Sequence, residues 1–233
     1  MRRELLTVAG VERVGLYSLV RLKRGAMESG DPGQFFMLSP PGRLLPRPMS
    51  LCFATRSELA FLIDPIGAGT RALVEIPRHA AIQVLGPLGQ GYRLDVERPL
   101  LVGGGIGIAP FPYLSERLGR PPAALGFRTK AHAEAAALVP NAEVVVEPRL
   151  VTELLRPGHD VLACGPEPML VAVARLAPTA QLAWEAPMAC GYGACYGCAV
   201  RVDGELKRLC VEGPVLTSHG GGLSPVMADR DAA

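Results

Sequence analysis

Four of the six cysteines in this chain fall between residues 190 and 210, and their spacing limits what the C-terminal part can fold into. They are Cys190, Cys195, Cys198 and Cys210, in the pattern Cys-x4-Cys-x2-Cys-x11-Cys. The N-terminus carries two arginines but no long apolar run follows, so we expect no secretory signal. The sequence contains no run of about 18 apolar residues, so we expect no membrane span. We therefore expect a cytoplasmic location, where disulfides are rare and clustered cysteines are typical of metal sites.

The spacing of the first three cysteines is typical of a plant-type [2Fe–2S] cluster. Gly191, Gly193 and Gly197 lower the steric cost of winding a loop whose thiolates all point inward. Asp203-Gly204 lies between two strand-like runs and predicts a hairpin that returns Cys210 to the other three. The alternative is a structural zinc site of four cysteines, although such sites usually contain two short pairs. The pattern favours iron–sulfur over zinc, and a disulfide framework comes third.

The hydrophobic pattern ahead of the cysteines changes once, at about residue 97. Residues 1–96 contain short strand-like runs separated by Pro/Gly turns, which predicts an antiparallel β-barrel. Residues 97–185 alternate strands with helices, which predicts a doubly wound parallel α/β domain. Residues 186–216 form a small cysteine segment, and residues 217–233 are predicted to be a disordered tail. The fold class is thus multidomain α+β. The strands predicted for the barrel are Val14–Leu22, Gln34–Leu38, Ser50–Ala54, Leu59–Ile63 and Ala80–Leu85.

A glycine-rich loop follows the first predicted strand of the α/β domain. The strand Pro99–Val102 leads into Gly103-Gly104-Gly105-Ile106-Gly107, and a helix is predicted from about Ala109. The dinucleotide pattern GxGxxG does not fit, because position 108 is isoleucine. The order of strand, glycine turn and helix still suits a pyrophosphate at a helix N-terminus. A glycine turn without a ligand is the alternative.

Three further motifs carry groups that can contact a nucleotide. Arg47-Pro48-Met49-Ser50 opens a predicted strand, and an arginine can hold a phosphate by paired hydrogen bonds. Gly67-Ala68-Gly69-Thr70 is predicted at a turn, where backbone amides and the Thr70 hydroxyl can hold more of that phosphate. Cys164-Gly165-Pro166 ends a predicted parallel strand, where α/β sheets place ligands. The alternatives are a solvated surface charge for Arg47 and a small buried side chain for Cys164.

The order of these motifs resembles the ferredoxin–NADP reductase superfamily. The shared features are an Arg-x-x-Ser element, Gly-x-Gly-Thr, a strand–glycine–helix unit and Cys164-Gly165-Pro166-Glu167-Pro168-Met169. The segments 188–198 and 210–215 closely resemble those of electron-transfer subunits of bacterial NAD-dependent dihydroorotate dehydrogenases. The resemblance covers roughly residues 5–216.

The resemblance implies FAD in the barrel, NAD(H) on the α/β domain and a [2Fe–2S] cluster on the four cysteines. It also implies a partner, an FMN-containing catalytic subunit that oxidises dihydroorotate to orotate in pyrimidine synthesis. Two copies of each subunit form a heterotetramer in that family. No acid–base triad is implied, since the flavin supplies the redox chemistry. The residues implied in binding FAD are Arg47, Pro48, Met49, Ser50, Leu62, Ile63, Asp64, Gly69 and Thr70. Those implied in binding the nicotinamide nucleotide are Gly103, Gly104, Gly105, Ile106, Gly107, Cys164, Gly165 and Pro166.

Two features depart from the family pattern. Ile63 and Asp64 stand where the family often has an aromatic and a basic residue. Because Asp64 would repel a phosphate, we expect its side chain to point away or only its backbone to contact FAD. Residues 147–153 replace a longer glycine-containing loop, which weakens the case for a full nicotinamide pocket. Arg128 and Lys130 leave NADP open on the residues alone, and the choice of NAD rests on the resemblance.

Two other classes of function remain open at this point. The same cofactors also occur in subunits of hydrogenases and of ferredoxin-dependent NAD(P) oxidoreductases. A non-redox interaction module with structural zinc is the third hypothesis. The formal net charge of +2, with no basic stripe, argues against a nucleic-acid partner.

Overall fold

The computed structural model describes residues 1–202, 204–217 and 226–227, the last two as backbone only. Its N-terminal part is one antiparallel sheet of seven strands, in the order β4-β3-β7-β1-β2-β6-β5. The edge strands β4 and β5 are joined by only Leu51 and Cys52, so the sheet must curl until its two edges lie close together. The strands are β1 (Arg2–Val14), β2 (Tyr17–Lys23), β3 (Phe35–Leu38), β4 (Arg47–Ser50), β5 (Phe53–Ala54), β6 (Glu58–Ile63) and β7 (Ala81–Leu88).

The predicted strand Val14–Leu22 is wrong at its start. Val14 ends β1 and pairs with Tyr17, the first residue of β2, so a tight hairpin turn separates them. Gly15 adopts a φ of +58° in that turn, a left-handed conformation outside the β region. A short helix, α1 (Ala68–Val74), also begins where only a turn was predicted.

Side chains alternate between the inside of the curled sheet and its surface. Along β7, Ile82, Val84, Gly86 and Leu88 are buried while the residues that alternate with them are more exposed. The rings of Phe36 and Phe61 meet edge to face, with centroids 5.5 Å apart, in the centre of this core.

The second part is a parallel sheet in the order β10-β9-β8-β11-β12, with β15 added antiparallel at the edge. The chain leaves β8 toward one side of the sheet and later returns to β11 on the other, so the order reverses between these two neighbours. Ligands of doubly wound sheets bind in the crevice at that point. The strands are β8 (Pro99–Gly104), β9 (Ala123–Phe127), β10 (Ala142–Val146), β11 (Asp160–Cys164), β12 (Gln181–Ala183) and β15 (Val215–Thr217). The helices are α2 (Phe111–Arg117), α3 (Lys130–Ala133) and α4 (Glu167–Leu176).

The cysteine segment contributes the hairpin of β13 (Ala199–Val202) and β14 (Glu205–Arg208). Val202 pairs with Glu205, which confirms the predicted hairpin, while Asp203 of its turn lies outside the described residues. A two-residue strand, β16 (Val226–Met227), pairs with β13. Thr217, the first residue of the predicted disordered tail (residues 217–233), ends β15. Apart from Thr217 and β16, that tail lies outside the described residues.

Continuous apolar cores join the three parts. Tyr17 and Leu62 of the curled sheet share a core with Leu101 and Leu125 of the parallel sheet. A second core joins the parallel sheet to the cysteine segment and includes Cys198 and Cys210. The glycine loop, the curled sheet and the cysteines are therefore held in fixed relation. Among the described helices, none has both the length and the apolar character needed to cross a bilayer.

Candidate functional site

The four clustered cysteines converge in space as free thiols. The Cys190 thiol contacts that of Cys195, and the Cys198 thiol contacts that of Cys210. The described residues contain no three His, Cys, Asp or Glu side chains gathered about a single point. The thiol contacts join Cys190 to Cys195 and Cys198 to Cys210, an arrangement that suits two irons with two thiolates each.

Backbone N–H groups of the loop point at the sulfurs. Burial opposes ionisation of Cys190, but N–H groups of Tyr192, Cys195 and Ala194, with the Cys195 thiol, lower its pKa to about 6. Burial and the adjacent Cys198 thiol raise the pKa of Cys210 to about 12, against the opposing N–H of Gly193. That N–H donates to Cys210 Sγ at 3.1 Å. Donors of this kind stabilise an anionic sulfur site.

A cavity of about 430 Å³ opens between the curled sheet and the parallel sheet. Its volume lies in the range of sites for small ligands and cofactors. Nine of the predicted cofactor residues line it: Pro48, Met49, Ser50, Ile63, Asp64, Thr70, Ile106, Gly107 and Cys164. The structure thus brings residues from five separate segments of the chain to one cleft.

The other eight predicted residues do not line this cavity. Leu62 packs into the core shared by the two sheets, because it alternates with the lining residue Ile63 along β6. Gly103 and Gly104 end β8, and a Cβ on either would meet the side chains of Phe111 or Met169 at 2.7 Å. These two glycines allow close packing of side chains against the end of β8. The remaining five are Arg47, Gly69, Gly105, Gly165 and Pro166.

The glycine loop touches the end of β11 directly. A Cβ on Gly107 would stand 2.5 Å from the carbonyl oxygen of Cys164 and 2.5 Å from Cα of Gly165. Residues 105–108 form a single 3-10 turn before α2 begins at Phe111, slightly later than predicted. The loop and the Cys164 strand end therefore form one continuous wall of the cleft.

Arg47 and the start of α1 form a compact unit beside the cavity. A Cβ on Gly69 would meet Nε of Arg47 at 2.5 Å, so only glycine lets the guanidinium lie against this helix. The Thr70 hydroxyl accepts a hydrogen bond from Gly67 N–H at 3.0 Å and donates one to Gly67 O at 3.1 Å. Thr70 is thus already engaged in closing the first turn of α1.

Two carboxyl groups face the cavity from opposite sheets. Burial raises the pKa of Asp64, and His132 of α3 lowers it by its charge. Asp64 lines the cavity, and the two arrangements expected for it, a side chain directed away from FAD or a contact through the backbone alone, stay predictions. Burial also raises the pKa of Glu185. Protein atoms surround this side chain, but water reaches it through the open cavity. Burial and then the charge of Glu185 raise the pKa of the Cys164 thiol.

The segment Glu185–Met188 was missed by sequence reasoning, together with Trp184. All five residues line the cavity. Their position directly after the parallel strand β12 was the available signal, since the carboxyl ends of such strands border the ligand crevice. Cys190 follows Met188 after a single residue, so the cavity wall runs straight into the thiol cluster.

Known proteins resemble this chain over most of its length. Residues 185–220 match the sequence model of the iron–sulfur cluster binding domain of dihydroorotate dehydrogenase B. The dihydroorotate dehydrogenase B (NAD(+)) electron transfer subunit of Clostridium perfringens is 32% identical over 228 residues, covering 86% of this chain and 89% of that protein. The chain belongs to this family of electron transfer subunits. The corresponding subunit of Geobacillus sp. is 34% identical, covering 92% of this chain and 96% of that protein. The predicted resemblance and the predicted oxidoreductase role are confirmed.

Solved structures confirm the fold class. An NADH-dependent reduced ferredoxin-NADP oxidoreductase superposes with a TM-score of 0.79 at 21% identity, covering 92% of this chain and 88% of that one. Phthalate dioxygenase reductase, described as a modular structure for electron transfer from pyridine nucleotides to [2Fe–2S], gives a TM-score of 0.66 at 15% identity. It covers 86% of this chain and 87% of its own. At these identities the likeness establishes the shared fold of a curled antiparallel sheet followed by a parallel α/β sheet.

Proposed function

We propose that this chain passes electrons between NAD(H) and the FMN of a dihydroorotate dehydrogenase catalytic subunit, through a bound FAD and a [2Fe–2S] cluster. The reaction belongs to pyrimidine biosynthesis. One observation carries the proposal: Glu185–Met188 walls the cavity, and the first cluster cysteine follows Met188 after one residue. A flavin in the cavity and a cluster on the thiols would be neighbours.

The residues present fit both groups. The cavity is largely apolar, as a flavin ring requires, and Arg47 lies beside it to meet a phosphate. Cys190, Cys195, Cys198 and Cys210 would hold the cluster, with thiol contacts that join Cys190 to Cys195 and Cys198 to Cys210. When bound, the flavin exchanges a hydride with the nicotinamide and the cluster carries electrons singly. Ser50 and Cys164 border the cavity from opposite sheets and would orient a bound ring.

The nicotinamide nucleotide would approach along the glycine loop. Ile106 and Gly107 line the cavity, and their contact with the end of β11 shapes the crevice where the strand order reverses. The short stretch after β10 turns at Arg149, whose backbone N–H donates to Val146 O at 3.2 Å, before a single 3-10 turn. Because this stretch is short, we propose that little protein covers the adenine side and that NADH is held chiefly by its nicotinamide and phosphate portions.

An electron transfer subunit works with a catalytic subunit, as the name of the family states. We propose that the partner carries FMN and that two copies of each subunit assemble. Tyr192, Tyr196 and Leu206 support a contact at the cysteine hairpin, because each is about half exposed or more beside the thiols. Aromatic and apolar side chains of this kind are enriched in subunit interfaces.

The test is NADH-dependent reduction of orotate by the purified chain mixed with the FMN-containing dihydroorotate dehydrogenase subunit of the same organism. We expect turnover with both subunits and none with either alone. NADH oxidation that reduces artificial dyes but never orotate would contradict the proposed partner and would favour a different electron-transfer complex.

A cysteine variant separates the flavin from the cluster. We expect Cys195→Ser to retain NADH-dependent dye reduction, which needs only the flavin, and to lose orotate reduction. Cys52→Ala is the matched control, since Cys52 is buried in the curled sheet away from the cluster. Zinc in place of iron in the purified protein would contradict the whole proposal.

A further inference from the structure

Arg208, the last residue of β14, is held in one orientation beside the cysteine loop. Its Nη2 donates to Oε1 of Glu212 at 2.6 Å, and its Nε donates to Oε2 at 3.3 Å. The same Oε2 accepts the backbone N–H of Arg208 at 2.6 Å. The two side chains are only 29% and 34% exposed. A planar guanidinium bound at two points by one carboxylate has little freedom to rotate.

The guanidinium also grips the loop between the first two cysteines. Nη1 of Arg208 donates to Gly193 O at 3.3 Å, while Gly193 N–H donates to Cys210 Sγ at 3.1 Å. The backbone of Gly193 is therefore bonded through its oxygen to Arg208 and through its N–H to Cys210. Gly193 has a φ of +87°, and a Cβ there would stand 3.1 Å from Arg208 Nη1 and 2.8 Å from Val211 Cγ2.

A third contact lies on the outer side of the loop. Cζ of Arg208 lies 5.3 Å from the ring centroid of Tyr196, within cation–π range. In the described part of the chain, both hydrogen bonds that tie the turn 208–212 to the loop 190–195 pass through Gly193. Arg208 thus fixes the distance between the Cys210 turn and the other thiols.

We propose that Arg208 is a positioning residue for the iron–sulfur cluster: it locks the Gly193 loop against Cys210, and its charge, balanced by Glu212, sets the reduction potential. The inference rests on the proposed ligation by the four cysteines. One-electron reduction adds one negative charge to the cluster, so a nearby cation favours the reduced form and a nearby carboxylate opposes it. Removing either member of the pair leaves the other uncompensated.

The two charge-removing variants should therefore shift the potential in opposite directions. In the full chain with its partner subunit, the oxidised cluster is reduced stepwise with dithionite, and the reduced form is followed by electron paramagnetic resonance. We expect Arg208→Gln to lower the midpoint potential and Glu212→Gln to raise it. Arg208→Lys keeps the charge and should stay near the wild-type potential.

Loss of the hydrogen bond from Arg208 to Gly193 is measured separately, as the rate at which a chelator removes iron. Arg208→Lys and Arg208→Gln should both release iron about fivefold faster, the factor expected for one net hydrogen bond. Arg149→Gln is the matched control, because Arg149 forms another i,i+4 pair, with Glu153 at 3.4 Å, outside the cysteine segment. It should change neither quantity.

Potentials that move in the same direction in Arg208→Gln and Glu212→Gln, or that do not move, would overturn the electrostatic role. Wild-type iron release from Arg208→Lys would overturn the positioning role. If Arg208→Gln fails to retain a cluster, Glu212→Gln and Arg208→Lys still carry both measurements. A wild-type chain that binds zinc would refute the ligand assignment itself, which distinguishes that failure from an error about Arg208.

Discussion

Replacing Gly107 with alanine tests whether the glycine loop must touch the end of β11. The new Cβ would lie 2.5 Å from Cys164 O and from Gly165 Cα, against about 3.4 Å for an ordinary contact. The overlap of about 0.9 Å falls on backbone atoms, which cannot rotate away. Overpacking costs about 1–3 kcal/mol, and rigid neighbours place this variant near 3 kcal/mol.

For a chain of this length, each kcal/mol lowers Tm by roughly 2–4 °C, so we expect Gly107→Ala to lower Tm by about 6–12 °C. Thermal unfolding followed by circular dichroism measures the change. NADH should also bind more weakly, because the loop and Cys164 shape the same crevice.

Gly10→Ala is the control for the loss of a glycine. A Cβ on Gly10 would meet only Nη2 of Arg21, at 3.8 Å, and we expect Tm to change by less than about 2 °C. A Gly107→Ala protein with wild-type Tm and wild-type NADH affinity would refute the reasoning, since the loop could then separate from β11 without cost.

Two further predictions concern the carboxyl groups that face the cavity. Burial raises the pKa of Glu185 in the folded chain, so its ionised form lowers the stability of the fold above the unfolded pKa. Glu185→Gln should therefore stabilise the flavin-free protein at pH 8 but not at pH 4. Equal Tm differences at both pH values would contradict this. Asp64→Asn should bind FAD about fivefold more tightly, because it removes roughly 1 kcal/mol of repulsion from a phosphate. Binding is measured by fluorescence quenching of Trp184, the single tryptophan, which lines the cavity. Weaker binding would mean that the carboxylate instead accepts hydrogen bonds from the ligand.

Local patterns allowed much of the fold to be predicted. Residues 97–185 alternate strands with helices as predicted, for example in the strand Ala123–Phe127 and the helix Glu167–Leu176. The hairpin at Asp203-Gly204 was predictable because two-residue turns have a specific chemistry. Gly15 was not recognised as a break in Val14–Leu22, because a single glycine within an apolar run does not reveal a positive φ.

The candidate site divides in the same way. Pro48–Ser50 and Ile106–Gly107 line the cavity, and their assignment to a ligand site followed from the order of the motifs and the resemblance that this order carries. Glu185 carries no motif, and its place in the cavity wall follows only from the position of β12 in the sheet.

Cysteine spacing by itself indicated a metal site at the C-terminal end and favoured iron–sulfur over zinc, because thiolates that share a cluster must be close along the chain or joined by a hairpin. Tertiary structure alone decided that this cluster adjoins the cavity and that Arg208 grips Gly193. Contacts between residues far apart in sequence depend on how three packed parts meet, and no local spacing encodes that geometry.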